Sequence, residues 1–246
     1  MTAASTGPQH LQDAFQKIYE SFLDYFPKCL PQEAGFQPAV HYRPLESLGG
    51  DFYDVLDLRP GMKGIAIADI VGHGATAAMM IGMLRLLLRM YTREIASTSL
   101  AVALVNNALV DYAPDRDMAS MIYILYDQKN RSLTYTNAGH PAGLYYRAAS
   151  RSLQALEEGG AILGVDKVNY DEGALMVSTG DKLILYTDGW LETSNAEGAL
   201  FDFKAELLPL LSQPAPACIA GLQACFDGFL AGLPLTDDLT LLVVDF

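Results

Sequence analysis

Charge is scarce in this chain, and positive charge scarcer still. Of 246 residues only 18% are charged, with 16 Lys and Arg against 29 Asp and Glu, for a net charge of −13. The shortage of basic residues argues against nucleic acid or an anionic membrane as partner, because both attract Lys and Arg. The 51% of hydrophobic residues excludes intrinsic disorder. Cysteine is limited to Cys29, Cys218 and Cys225, an odd number with no CxxC or Cys/His spacing. That excludes a secreted disulfide framework and a zinc site of the usual spacing. Met1 to His10 lacks the basic and apolar regions of a secretory signal. The most apolar stretch, Gly74 to Leu84, is about half a membrane span before Arg85 interrupts it. These absences predict a cytoplasmic protein outside the membrane. Missing too are a P-loop, a GxGxxG between strand and helix, a GxSxG elbow and an HExxH helix.

What is present reads as short strands and longer helices. Leu11, Phe15, Ile18, Phe22 and Phe26 recur at helical spacing from about Gln9 to Phe26, before Pro27, Pro31 and Gly35 break the chain. This segment, residues 1–35, is read as an N-terminal helix ahead of a domain over residues 36–246. A homodimer through the helix is one way to cover its apolar stripe. Gln37–Tyr42, Phe52–Leu58 and Gly64–Ile70 read as strands. Ala75–Arg93 reads as a helix apolar around much of its girth, with Arg85, Arg89 and Arg93 as a solvated stripe. Thr98–Tyr112 is a second helix, capped by Ser97 or Thr98. Ser120–Tyr126, Ser132–Thr136 and Gly143–Tyr146 read as a strand meander, with Ala174–Ser178 and Lys182–Thr187 as a later pair. Helices near Phe203–Leu211 and Pro216–Leu230 precede a last strand, Leu239–Val244. Runs of strands alternating with paired helices indicate one α+β domain rather than a βαβ parallel fold.

Carboxylates recur beside the strand ends. Asp51 and Asp54 lie in Gly49-Gly50-Asp51-Phe52-Tyr53-Asp54, Asp69 ends an apolar run, and Asp188 ends another before Gly189. Asp237 and Asp238 precede the last strand. An ionised group ending an apolar strand needs compensation, which a hard divalent cation provides through oxygen ligands. Neighbouring glycines let the backbone approach such an ion. Each Asp alone is as well explained as a turn former or helix cap; four such motifs in one domain favour a metal site. His73, between Gly72 and Gly74 at the start of the long helix, is poorly placed for core packing and is read as a possible acid. His140, in the turn Asn137-Ala-Gly-His140-Pro141, is read as structural or site-shaping.

Five ordered segments, LGGDFYDV (48–55), IADIVGHGATAAMM (67–80), YTNAGHPAGLYY (135–146), GDKLILYTDGWLE (180–192) and DDLTLLVV (237–244), resemble the metal-dependent serine/threonine protein phosphatases of the PPM type. The likeness is to their bacterial SpoIIE/RsbU branch. It implies an αββα sandwich of two antiparallel sheets flanked by helix pairs, with two Mn²⁺ or Mg²⁺ ions at one end. Under it Asp69 is the carboxylate bridging the ions and the Ile70 carbonyl completes one site. Asp188 is a direct ligand, and Asp237, or Asp238 in a register shifted by one, is another. Asp51 holds a metal directly or through water. A shared water of lowered pKa would then attack phosphorus in line, without a phospho-enzyme. The leaving oxygen would take its proton from His73 or from water at the metal site. Two departures stand out. His73 follows Asp69-Ile-Val-Gly, whereas eukaryotic relatives place a histidine directly after Asp-Gly, and their phosphate-gripping basic residue has no counterpart. The implied substrate is a phosphorylated protein, in this branch an anti-sigma-factor antagonist of a partner-switching pathway. Two rival readings are a non-catalytic regulatory domain of the same fold and an enzyme for small phosphorylated metabolites.

Overall fold

The computed structural model describes residues 24–45, 49–72, 74–113 and 117–246. In chain order the strands are β1 (Gln37–Arg43), β2 (Asp51–Arg59), β3 (Met62–Ile70), β4 (Ala119–Asp127), β5 (Ser132–Ala138), β6 (Gly143–Arg147), β7 (Ser152–Leu156), β8 (Gly159–Gly160), β9 (Gly173–Met176), β10 (Lys182–Tyr186) and β11 (Leu239–Asp245). The helices are α1 (Ala75–Tyr91), α2 (Thr98–Tyr112), α3 (Gly189–Glu192), α4 (Phe203–Leu207), continued by a 3₁₀ turn at Leu208–Leu210, and α5 (Ala215–Leu230). One sheet runs β1-β11-β10-β6-β7 and the other β2-β3-β4-β5-β8, with β9 also on β5. Among these strands every pairing is antiparallel except the two-residue contact of β8 with β5. The αββα sandwich expected from the sequence is the observed fold.

Alternation along the strands explains the layers. In β10, Leu183 and Leu185 face the core shared by the two sheets and α1, whereas Ile184 and Tyr186 face the layer holding α5. Successive strand residues point to opposite faces, so one run of four apolar residues fills two cores. Trp190, fully buried, packs on Phe201, Phe203 and Phe226 and donates its Nε1–H to the Thr240 carbonyl at 3.1 Å. Its burial is worth about 2–3 kcal/mol and seats the short α3 against β11.

Three expectations need correction. Helix α1 buries one side, Ala77, Ile81, Leu84 and Leu88, and leaves Met79, Leu86 and Met90 exposed, so it is not packed all round. Its arginines are not a purely solvated stripe. Arg89 clamps the buried Asp54 through Nη2 at 2.8 Å, and Arg85 Nε lies 3.7 Å from the same carboxylate. Burial raises the pKa of Asp54 while the two guanidinium groups oppose the rise. Strand β7 escaped notice because its alternation is short and weak: over five residues only Leu153 and the small Ala155 mark the less exposed face before Leu156. The N-terminal helix expected over 9–26 lies largely outside the described residues; its last part, Asp24–Phe26, is a turn. Phe26 is buried there against Tyr42, Phe52 and Tyr53, and Phe36 is fully buried.

Candidate metal centre

Strand register decides which carboxylates meet. In the β2–β3 ladder Asp51 stands directly opposite Asp69. In the other sheet β10 and β11 are neighbours, and Thr187 N donates to the Thr240 carbonyl at 3.1 Å just beyond the ladder. Asp188 therefore follows β10 at the same end where Asp237 and Asp238 precede β11. A cleft of about 430 Å³ opens between the two sheet ends, lined by Gly49, Gly50, Asp69, Ile70, Asp237 and Asp238, among others.

Asp51, opposite the cleft-lining Asp69, is buried, 2% exposed. Its Oδ2 accepts hydrogen bonds from Thr187 Oγ1 at 2.8 Å and Thr240 Oγ1 at 2.5 Å, so it ties one sheet to the other. Burial pushes its pKa well above the usual carboxylate range; Asp69 and Asp238 add to the rise, and the two hydroxyls oppose it. Asp238, also buried, is occupied by backbone. Leu45 N donates to its Oδ1 at 2.6 Å, and Gly50 N and Asp51 N donate to its Oδ2 at 2.6 and 3.2 Å. Asp237 is exposed and accepts one hydrogen bond, from Asp238 N at 2.8 Å. The two adjacent residues thus divide the work: Asp238 shapes the Gly49-Gly50 loop, and Asp237 presents an exposed carboxylate.

Asp69 is where the charges collide. Its pKa rises from 3.8 to about 7, first through burial and then through the charges of Asp188, Asp237, Asp238 and Glu192. Asp188 is raised for the same reasons, burial first, then Asp237 and Glu192. Glycine is required for these approaches. A Cβ on Gly50 would lie 2.8 Å from the carbonyl oxygens of both Ile70 and Gly72 and 3.4 Å from Asp69 Oδ1. A Cβ on Gly189 would lie 2.1 Å from the Asp238 carbonyl oxygen. Because that contact is backbone against backbone, Gly189→Ala should cost about 2–3 kcal/mol, read as a lowered denaturation midpoint with unchanged slope.

The donor set fits a hard divalent cation. Carboxylate and carbonyl oxygens predominate, and the lining contains no Lys or Arg among the described residues. The fit is one of chemistry, not of a closed cage: among the described residues no three His, Cys, Asp or Glu side chains are already drawn together around one point. The structure brings Asp51, Asp69, Ile70, Asp188, Asp237 and Asp238 to one end, and it turns Asp54 of β2 away, to Arg89 of α1. His73 lies outside the described residues. Thr187, Thr240 and Glu192 were overlooked in the sequence, although both threonines sit in the Asp-bearing segments Thr187-Asp188-Gly189 and Asp237-Asp238-Leu239-Thr240. Their residue type gave no sign that hydroxyls from two strands converge on Asp51.

The model of the family Stage II sporulation protein E matches residues 60–246. The chain belongs to the SpoIIE family. It is 26% identical over 172 residues to phosphoserine phosphatase RsbU of Bacillus subtilis, a match covering 70% of this chain and 51% of that protein. Among solved structures, the SiaA-PP2C domain of Pseudomonas aeruginosa superposes with a TM-score of 0.82 at 18% identity, over 99% of this chain and all of the other. The RsbU and RsbW domains of Rv1364c from Mycobacterium tuberculosis give 0.72 at 25% identity, over 86% of this chain and 60% of that one. RsbX in complex with magnesium gives 0.68 at 16% identity, over 88% and 98%. The chain spans about half, or less, of the length of the curated SpoIIE-type relatives it matches. Among its described residues no helix is long and apolar enough to cross a membrane.

Proposed function

We propose that this SpoIIE-family chain is a Mn²⁺- or Mg²⁺-dependent phosphoserine/phosphothreonine protein phosphatase, acting in the cytoplasm in a partner-switching pathway. The observation that carries the reading is the crowding of Asp69 by Asp188, Asp237 and Glu192 at one cleft, which lifts its pKa to about 7. Carboxylates gathered with no cationic side chain among the described residues of the cleft lining call for a cation to offset them. Asp69, Asp188 and Asp237, with Asp51 opposite Asp69 and the Ile70 carbonyl beside Gly50, are the groups that would hold two ions. Such ions would lower the pKa of a shared water and offset charge on the phosphoryl oxygens. The protein's own part is orientation: Thr187 and Thr240 fix Asp51, and Asp238 fixes the loop that carries Gly50. Leu45 and Val71, both exposed at the cleft, offer apolar contact to a protein substrate. His73 is the proposed proton donor to the leaving seryl or threonyl oxygen.

The relatives' names support the substrate class, and a phosphorylated anti-sigma-factor antagonist is the proposed partner. We assign this activity to residues 36–246 and regulation or homodimerisation to residues 1–35. One observation favours the regulatory-domain alternative: among the described residues no basic side chain lines the cleft to grip a phosphate. Hydrolysis of p-nitrophenyl phosphate with Mn²⁺, Mg²⁺ or EDTA separates the two. Activity that needs either ion and is lost in Asp69→Asn is the expected result. A folded protein inactive with every ion, towards this ester and towards phosphoproteins, would leave the regulatory reading standing instead.

A further inference from the structure

Between the two sheet ends lies a buried polar side chain that the proposed chemistry does not use, His140, 6% exposed. Its backbone is gripped from both sides by Asn137, whose Oδ1 accepts from His140 N at 2.7 Å and whose Nδ2 donates to the His140 carbonyl at 2.9 Å. That grip fixes the direction in which the ring points. The ring Nδ1 lies 2.7 Å from Ser120 Oγ. Ser120 stands directly opposite Asp69 in the β3–β4 ladder, and opposite residues of an antiparallel ladder project to the same face.

The other sheet supplies the second neighbour. The backbone of Tyr186 favours the protonated ring, against a burial that holds the pKa near 3 and keeps the imidazole neutral. Nε2 has no hydrogen bond of normal geometry. Tyr186 ends β10; next come Thr187, which holds Asp51, and Asp188. The β6–β10 ladder stops at Leu144 and Ile184, short of Tyr186. The imidazole stands where that ladder fails. A neutral ring with its proton on Nε2 suits both sides, accepting from the Ser120 hydroxyl and facing the Tyr186 carbonyl.

We infer that His140 is a positioning residue: set between Ser120 on one sheet and Tyr186 on the other, it fixes the separation of Asp69 from Asp188 and thereby the affinity of the cleft for divalent cations. The inference rests on the proposed metal site. It also separates His140 from a mere filler of core volume, because a filler has no need of Ser120.

The test is calorimetric titration of the full chain with Mn²⁺ alone, for the wild type, Ser120→Ala and His140→Phe, each checked for folding by circular dichroism. Phe keeps the bulk of the ring and makes neither contact. Ser120→Ala keeps the ring and removes its link to β4. Both are expected to weaken Mn²⁺ binding by tenfold or more, the range found when groups that orient metal ligands are removed. Wild-type affinity in Ser120→Ala, or in folded His140→Phe, would overturn the inference; if the Phe variant does not fold, Ser120→Ala decides. A wild type that binds no Mn²⁺ would instead overturn the metal reading, and this inference with it.

Discussion

Asp69→Asn should remove phosphatase activity by a factor of about 10³ or more and, without divalent cations, make the fold more stable at pH 8. The two effects share a cause. In the folded chain Asp69 is raised from 3.8 to about 7 by burial and by four neighbouring carboxylates. Between those values the unfolded chain has released this proton and the folded chain still holds it. Stability from this group therefore falls as pH rises from about 4 to 7, by about 1.4 kcal/mol per unit at most, and is level above. Asparagine is neutral throughout and escapes the penalty. Thermal unfolding in EDTA should show the variant above the wild type at pH 8 and the gap closing toward pH 4. Adding Mg²⁺ at pH 8 should raise the wild-type midpoint by linkage and move that of the variant less. A variant less stable than the wild type in EDTA at pH 8 would show that Asp69 is satisfied in the fold by something other than a cation.

The fold was largely legible because its information is local. Helix α2 falls on the residues its apolar spacing predicts, Thr98–Tyr112, and of the two caps the sequence offered, Ser97 and Thr98, it is Ser97 whose Oγ accepts from Leu100 N at 3.1 Å. The β4–β5 hairpin follows from alternation punctuated by turn residues, whereas β6, read as its continuation, crosses to the other sheet and pairs with β10 and β7. The cluster of aspartates was legible for a related reason: each closes or opens a strand beside a glycine, and strands of a sandwich end at its edges. Long-range pairing was not legible. That Asp54 belongs to Arg89 and not to the cleft depends on how α1 lies across β2, 35 residues away in the chain. Asp51 has the same residue type in the same motif, yet its partners come from β10 and β11. Spacing along one strand cannot separate two carboxylates whose fates are set by different neighbours.

The adjacent pair Asp237 and Asp238 gives the sharpest contrast, since sequence alone left them one register apart. Asp238 accepts three backbone hydrogen bonds while 7% exposed, two of them at 2.6 Å. Hydrogen bonds to a charged group are worth about 1.5–3 kcal/mol each. Asparagine can replace one of the two oxygens but turns an N–H donor toward a backbone N–H. Asp238→Asn should therefore cost roughly 2–4 kcal/mol, lowering the melting temperature by about 5–15 °C, with or without cations. Asp237 is exposed, and its one acceptor role, toward Asp238 N, is open to an asparagine oxygen as well. Its substitution should shift stability by less than about 1 kcal/mol and still cut Mn²⁺-dependent turnover by roughly 10² or more. Loss of stability in Asp238→Asn and loss of turnover with intact stability in Asp237→Asn is thus the expected pair. The reverse assignment, with Asp238→Asn stable and inactive and Asp237→Asn unstable, would mean that the loop carrying Gly50 is held by something other than the Asp238 carboxylate. Because the Asp238 carboxylate also accepts from the backbone N–H of Asp51 and so sets its position, the Asp238 variant should lose part of its activity too, but in proportion to unfolding and recoverable at lower temperature. Turnover measured at two temperatures below the melting point of each variant distinguishes a weakened scaffold from a missing ligand.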